Sequence, residues 1–136
     1  MIWALAIFLT FADLEAVKSE PDLNHRSELA LNNADEKLEA ARKAYEAGDT
    51  AAETADVQEV ADSVALCYET LQETHAAPRK SRYYKRAELR ITALLRRLTA
   101  FRDEVSFDFR PPVETAMKKL SDIHDQLLSD IMSKKK

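Results

Sequence analysis

Apolar residues recur at intervals of three and four over four long stretches of this chain, with polar residues filling the positions between them. In the third stretch the intervals are 3, 4, 3, 4, 3 and 4, which places the apolar side chains on one face of a helix. They are Tyr84, Ala87, Ile91, Leu94, Leu98, Phe101 and Val105. A helical face this apolar has to be covered by other parts of the chain, so the pattern predicts helices that pack together.

Residues that begin or end helices separate the four stretches. Gly48 is a helix terminator, Pro78 disfavours helix in the residue before it, and Pro111 and Pro112 suit a first helical turn. The predicted helices cover about residues 20–47, 50–75, 82–104 and 111–133. Because short connections join helices of similar length, we predict an all-α fold, an antiparallel four-helix bundle formed by residues 13–136 as one domain.

Two local features refine this prediction. Thr50 and Glu53 have the spacing of a capping box, in which the Thr50 hydroxyl begins the second helix and the Glu53 carboxylate reaches back to the Thr50 amide. Phe107 and Phe109 lie in the connection before the fourth helix. We expect both rings to cover one end of the core.

The first twelve residues (MIWALAIFLTFA) form a short apolar segment before the bundle. A helix that spans a bilayer needs about 20 apolar residues, so we do not expect an integral membrane protein. The segment resembles the core of a secretory signal, with small residues at Thr10 and Ala12, but without the usual preceding Lys or Arg. We predict a truncated signal and an exported, periplasmic or secreted protein. The alternative is a short helix lying on the bundle of a cytoplasmic protein.

Charge is distributed unevenly between the two halves of the chain. Residues 1–75 hold 5 Lys and Arg against 16 Asp and Glu, whereas residues 76–136 hold 15 against 8. This asymmetry favours folding of the first half onto the second, and also association between copies. For association, the acids Glu59, Asp62, Glu69 and Glu73 of the second helix would provide the surface complementary to the basic third helix.

Six basic residues of the third helix fall within an arc of about 140°, centred opposite its apolar face. They are Arg82, Lys85, Arg86, Arg90, Arg96 and Arg97, and Arg79 and Lys80 precede them. No acid lies within this arc between residues 82 and 97, so we expect the repulsion between like charges to be unrelieved. The arc predicts a binding face for an acidic protein or an anionic envelope component, or for nucleic acid if the protein is cytoplasmic. The alternative is a solvated face without a partner.

Motifs of catalysis are missing from the sequence. It contains no Gly-rich phosphate loop, no Ser/His/Asp signature and no Glu-x-x-His pair of the kind that binds metals in bundles. Cys67 is the single cysteine, which excludes an intrachain disulfide. We therefore predict that the protein is not an enzyme and carries no cofactor.

The segment Ala41 to Asp49 (ARKAYEAGD) resembles the helical hairpin of tetratricopeptide repeats, in which a tyrosine and a Gly-Asp turn are common. The similarity covers one turn and its flanks. It implies an antiparallel pairing of the first two helices and, from the family, the binding of a peptide in a superhelical groove.

An exported bundle of this size is also similar to cytochrome b562, in which a Met of the first helix and a His of the last helix hold haem. His124 lies on the inward face of the last predicted helix, whereas the first predicted helix contains no Met. The resemblance implies, as an alternative function, a haem- or metal-binding bundle centred on His124. From the residues alone we expect a core histidine that hydrogen-bonds to Tyr45, Tyr68 or Tyr84.

Overall fold

The structure, a computed structural model, describes residues 14–133, which form four long helices. These are α1 (Leu23–Glu46), α2 (Thr50–Glu73), α3 (Arg82–Glu104) and α4 (Arg110–Met132). A 3-10 turn (Phe107–Phe109) precedes α4, and residues 14–18 are also helical. The described residues contain no strand, which confirms the predicted all-α helical bundle. The apolar segment 1–12, for which a secretory signal is predicted, lies outside the described residues.

Each long helix begins and ends within three residues of its predicted bounds. Asp49, one residue before Thr50, caps α2 by accepting a hydrogen bond from the Ala52 amide at 3.1 Å. The predicted capping box is therefore wrong. Because Asp49 starts the helix one residue earlier, Glu53 moves past the position from which it could reach back, and its side chain is fully buried in the core.

The order of the helices around the bundle differs from their order in the sequence. The contacts pair α1 with α2 and α3, and they pair α4 with the same two helices. Consequently α2 and α3 lie on opposite corners, and the connection at residues 74–81 crosses one end of the bundle diagonally. α1 and α3 are parallel neighbours, which brings the acidic first half of the chain against the basic third helix.

The inward face of α3 is the one that its periodicity predicts. All seven side chains from Tyr84 to Val105 in the predicted face are at most 3% exposed. In α4 the side chains of Ala116 and Ile123 are buried, whereas those of Met117 and Ile131 are only partly buried. Burial of a Leu or Ile side chain contributes about 1.5–3 kcal/mol, so these faces hold the helices together.

The connection between α3 and α4 covers the core differently from the prediction. Phe107 is 79% exposed, and Phe109 is partly exposed and packs edge-on against Tyr45. The end of the core is filled by Val105, which is buried, and by Tyr45 against Phe101. The expectation for Phe107 is therefore wrong, because the Tyr45 hydroxyl accepts a hydrogen bond from the Ser106 amide and the chain turns outward from there.

Candidate macromolecule-binding surface

Three of the six basic residues predicted as a binding face are paired with α1. Arg86 contacts the Glu28 carboxylate at 2.9 Å, and Arg90 donates to Asp35 at 2.8 Å. Arg97 donates to the other oxygen of Asp35 at 2.9 Å. Glu28 and Asp35 are seven residues apart in α1, so their side chains lie on the same helical face and meet the neighbouring α3.

These pairs correct one expectation of the sequence analysis. The repulsion among the arginines is relieved by carboxylates of α1, which lie far from α3 in the sequence. We call this row of polar contacts between α1 and α3 the seam. It also includes the contacts of Arg90 with Asn32, Arg97 with Glu39 and Arg42 with Glu104. The side chains of Arg90, Arg97 and Asp35 are between 33% and 42% exposed, so the seam is only partly screened by solvent.

The other three basic residues of the predicted face point away from α1. Arg82, Lys85 and Arg96 are exposed, and none forms an ion pair with a described residue. The Arg82 guanidinium donates to the Tyr83 hydroxyl at 3.1 Å and lies 5.1 Å from the centre of the Tyr83 ring. This hydrogen bond raises the pKa of Arg82.

Four cations without a described ion-pair partner are concentrated at one end of the bundle. We call this surface the cationic end, and its members are Arg79, Lys80, Arg82 and Lys85. It lies where α1 and α3 begin and α4 finishes. An open groove of about 500 Å³ runs between the start of α1 and the 74–81 connection, and Asn24, Thr74, Lys80 and Tyr83 contribute to its walls. Arg96 is exposed more than two turns further along α3, outside this cluster.

The acidic surface predicted on α2 is smaller than expected. Asp62, Glu69 and Glu73 are exposed, but Glu59 turns toward α1. Its carboxylate accepts a hydrogen bond from Asn33 at 2.9 Å and lies 3.8 Å from the Lys37 ammonium. Glu73 ends α2 at the same end of the bundle as the cationic end, and its carboxylate lies 3.9 Å from the Arg26 guanidinium. Asp62 and Glu69 lie further along α2.

His124 is held by α3 and not by the tyrosines proposed as its partners. Its Nε2 atom lies 2.8 Å from the Glu88 carboxylate and 3.0 Å from the Thr92 hydroxyl. Its Nδ1 atom lies 3.5 Å from Asp125. The prediction of a tyrosine partner is wrong because His124 is on the edge of α4 that faces α3.

The tyrosines have other contacts. The Tyr68 hydroxyl donates to Asp130 at 2.6 Å, and burial together with this hydrogen bond raises the pKa of Tyr68. Tyr84 is buried in the core. Burial also raises the pKa of the Cys67 thiol to about 12, so this cysteine behaves as a small apolar residue.

Two features are absent from the described part of the chain, residues 14–133. No group of three or more His, Cys, Asp and Glu side chains in residues 14–133 is arranged to hold a metal ion. Among these residues, no helix is long and apolar enough to cross a bilayer. Comparison with protein-family models, with curated proteins and with solved structures found no match to this chain.

Sequence reasoning identified the basic residues but not their division into two groups. That division depends on which helix lies beside α3. The opposite charges of the two halves were the available signal, because they favoured folding of the first half onto the second. No feature of the sequence predicted that Glu53 is buried with both carboxyl oxygens unpaired. The spacing between Thr50 and Glu53 indicated an exposed capping residue instead.

Proposed function

We propose that this protein is a non-catalytic helical bundle that binds an anionic macromolecule through its cationic end. One observation carries the proposal. Arg79, Lys80, Arg82 and Lys85 lie within seven residues and have no ion-pair partner among residues 14–133, whereas Arg86, Arg90 and Arg97 are paired with α1. The bundle thus neutralises the cations in its seam and leaves those at one end available.

Clustered cations that are not neutralised attract an extended anion more strongly than isolated ones. Their fields add within a Debye length of about 8 Å at physiological salt, and successive residues of a helix are only about 1.5 Å apart along its axis. Arginine adds planar, bidentate hydrogen bonding to phosphate or carboxylate groups. The cationic end therefore fits a partner that carries several anionic groups in a row.

Export is the second part of this proposal, and it depends on the sequence of residues 1–12. In an exported protein the partner is an acidic protein or an anionic envelope component, and in a cytoplasmic one nucleic acid becomes available. Intact-mass measurement of the protein purified from its own cells separates these cases. Cleavage near Asp13 supports export, and a chain that retains residues 1–12 contradicts it.

The absence of catalysis is proposed from the side chains that carry reactive groups. The His124 imidazole is held between Glu88 and Thr92, and it is only 18% exposed. Cys67 is buried, and its raised pKa keeps it in the unreactive thiol form. Haem or metal binding at His124 would require the Nε2 atom to leave both of its present partners.

The binding proposal is tested by salt elution from immobilised heparin, a soluble polyanion. The variant Arg82→Glu/Lys85→Glu reverses two charges of the cationic end. Its matched control, Lys118→Glu/Lys119→Glu, makes the same change in net charge on exposed positions of α4. We expect the first variant to elute at much lower salt than the second. Equal elution of the two variants would show that only net charge matters and would contradict the proposal.

A further inference from the structure

Basic side chains lie outside the helices of the described chain only in the connection at residues 74–81. Arg79 and Lys80 are in its turn, and both side chains are exposed. Every other Lys or Arg of residues 14–133 belongs to a helix. Within this part of the chain, an endoprotease specific for basic residues therefore finds its preferred residues in accessible, non-helical backbone at this connection alone.

The backbone of this connection is held by local hydrogen bonds. The Lys80 and Ser81 amides donate to the Ala77 carbonyl at 3.0 and 3.1 Å. The Ala76 amide donates to the Thr74 hydroxyl at 3.2 Å. None of these bonds ties the segment to another helix. An endoprotease needs a short, locally opened segment, and here only contacts within the connection have to break.

The start of the connection is also strained. His75 directly follows the residue that ends α2 and has φ of +57°, a left-handed conformation that costs free energy for a residue with a side chain. The His75 side chain is exposed, so it gains no burial in return. Opening the segment releases this strain, which favours an extended conformation here.

The other connections between the long helices differ in these respects. The turn between α1 and α2 consists of residues 47–49, and the nearest cation, Lys43, is inside α1. In the connection between α3 and α4, Val105 is buried. The Arg110 guanidinium donates to the carbonyl oxygens of Arg102 and Val105. Cleavage beside either connection would require the end of a helix to unfold.

We propose that the 74–81 connection is a processing site, at which an endoprotease specific for basic residues cleaves the folded protein after Arg79 or Lys80 and leaves a two-chain bundle. Hydrolysis adds one water molecule across the peptide bond. The residue before the bond gains a carboxylate, and the residue after it gains an amino group. This inference goes beyond the proposed function and does not require it.

The two chains should stay together after cleavage, because the contacts between them do not involve the connection. One chain carries α1 and α2, and the other carries α3 and α4. Both contribute fully buried side chains to the core, among them Leu38, Val64, Leu94 and Leu120. The pairs of Asp35 with Arg90 and Arg97 also join the two chains, as does the hydrogen bond from Tyr68 to Asp130.

Limited digestion with trypsin, which cleaves after Lys and Arg, tests this inference. We expect the first cut among residues 14–133 to follow Arg79 or Lys80. The variant Arg79→Gln/Lys80→Gln should be cut about tenfold more slowly, because a helix has to open before it is cleaved. The matched control Lys118→Gln/Lys119→Gln removes two adjacent exposed cations from α4 and should be cut as fast as the unchanged protein. A first cut elsewhere in residues 14–133, or equal rates for the two variants, would overturn the inference.

The cleaved protein should elute from a sizing column as one particle with the helical content of the intact chain. Separation of the two chains under native conditions would overturn the two-chain product.

Digestion in the presence of heparin distinguishes this inference from the proposed function. Heparin bound at the cationic end would cover Arg79 and Lys80 and should slow cleavage of the protein, but not cleavage of a small arginine substrate by the same trypsin. Cleavage after Arg79 or Lys80 at a rate indifferent to heparin would contradict the proposed function and support the processing site.

Discussion

Asp35 links α1 to α3 more directly than any other acid of the seam, and its replacement by Asn gives a quantitative prediction. Its two oxygens accept from Arg90 at 2.8 Å and from Arg97 at 2.9 Å. Asn keeps the size of the side chain but removes its charge. Because the three side chains are 33–42% exposed, each pair is treated as a partly screened ion pair.

Such pairs contribute about 0.2–1 kcal/mol each, so loss of both should lower the free energy of unfolding by about 1 kcal/mol. In a chain of this size that corresponds to a decrease of about 4 °C in Tm. The loss should shrink at high salt, because a Debye length of about 3 Å at 1 M salt screens the pairs.

Urea denaturation of Asp35→Asn at low and high salt measures this effect. The control is Asp122→Asn, which removes an exposed pair with Lys118 within α4, where a loss of only about 0.3–0.5 kcal/mol is expected. If Asp35→Asn and Asp122→Asn destabilise equally at both salt concentrations, the α1–α3 seam does not hold the bundle together as described.

Three further predictions follow from single residues. Burial, and to a smaller extent the nearby Asp56 carboxylate, raise the pKa of Glu53 above its ordinary value of 4.5. The protonated Glu53 side chain therefore stabilises the fold below pH 4.5, and this stabilisation is lost as the pH rises through the higher pKa of the folded state. Urea denaturation should therefore show Glu53→Gln more stable than the unchanged protein at pH 7 but not at pH 4, and the same difference at both pH values would contradict this. Gly48 has φ of +80° with no atom within 4 Å of an added Cβ, so Gly48→Ala should cost about 1 kcal/mol from backbone conformation alone; an unchanged Tm would refute the assignment of this turn. Because Glu88 and Thr92 engage His124, addition of haem to the purified protein should produce no shifted Soret band, whereas a band that disappears in His124→Ala would establish the haem-binding alternative.

The elements of this fold were predictable because their signals are local. The seven apolar positions of α3 repeat at helical spacing, and a helix that places them on one face has no better place for them than the core. Helix ends were also predictable to within a few residues from Gly48, Pro78 and the two prolines of α4. The cap of α2 was assigned to the wrong residue because Asp49 and Thr50 are both good caps, and local sequence does not decide between them.

The details of the candidate surface depended on contacts between distant parts of the chain. Arg82 and Arg90 look equivalent in the sequence, since each is a cation on the polar side of the same helix. Only the diagonal connection at residues 74–81, which places α1 beside α3, gives Arg90 a carboxylate and leaves Arg82 without one. His124 was assigned to the right face of α4, but its partners were wrong because the neighbouring helix was not known.

The division of the α3 cations into a structural seam and a binding end is tested most directly by comparing two variants on immobilised heparin. Arg82→Gln/Lys85→Gln removes two charges from the cationic end, and Arg90→Gln/Arg97→Gln removes two from the seam of the same helix. We predict a large decrease in the eluting salt concentration for the first variant and little change for the second. An equal decrease in both variants would show that the cations of α3 act as one surface, which contradicts the division.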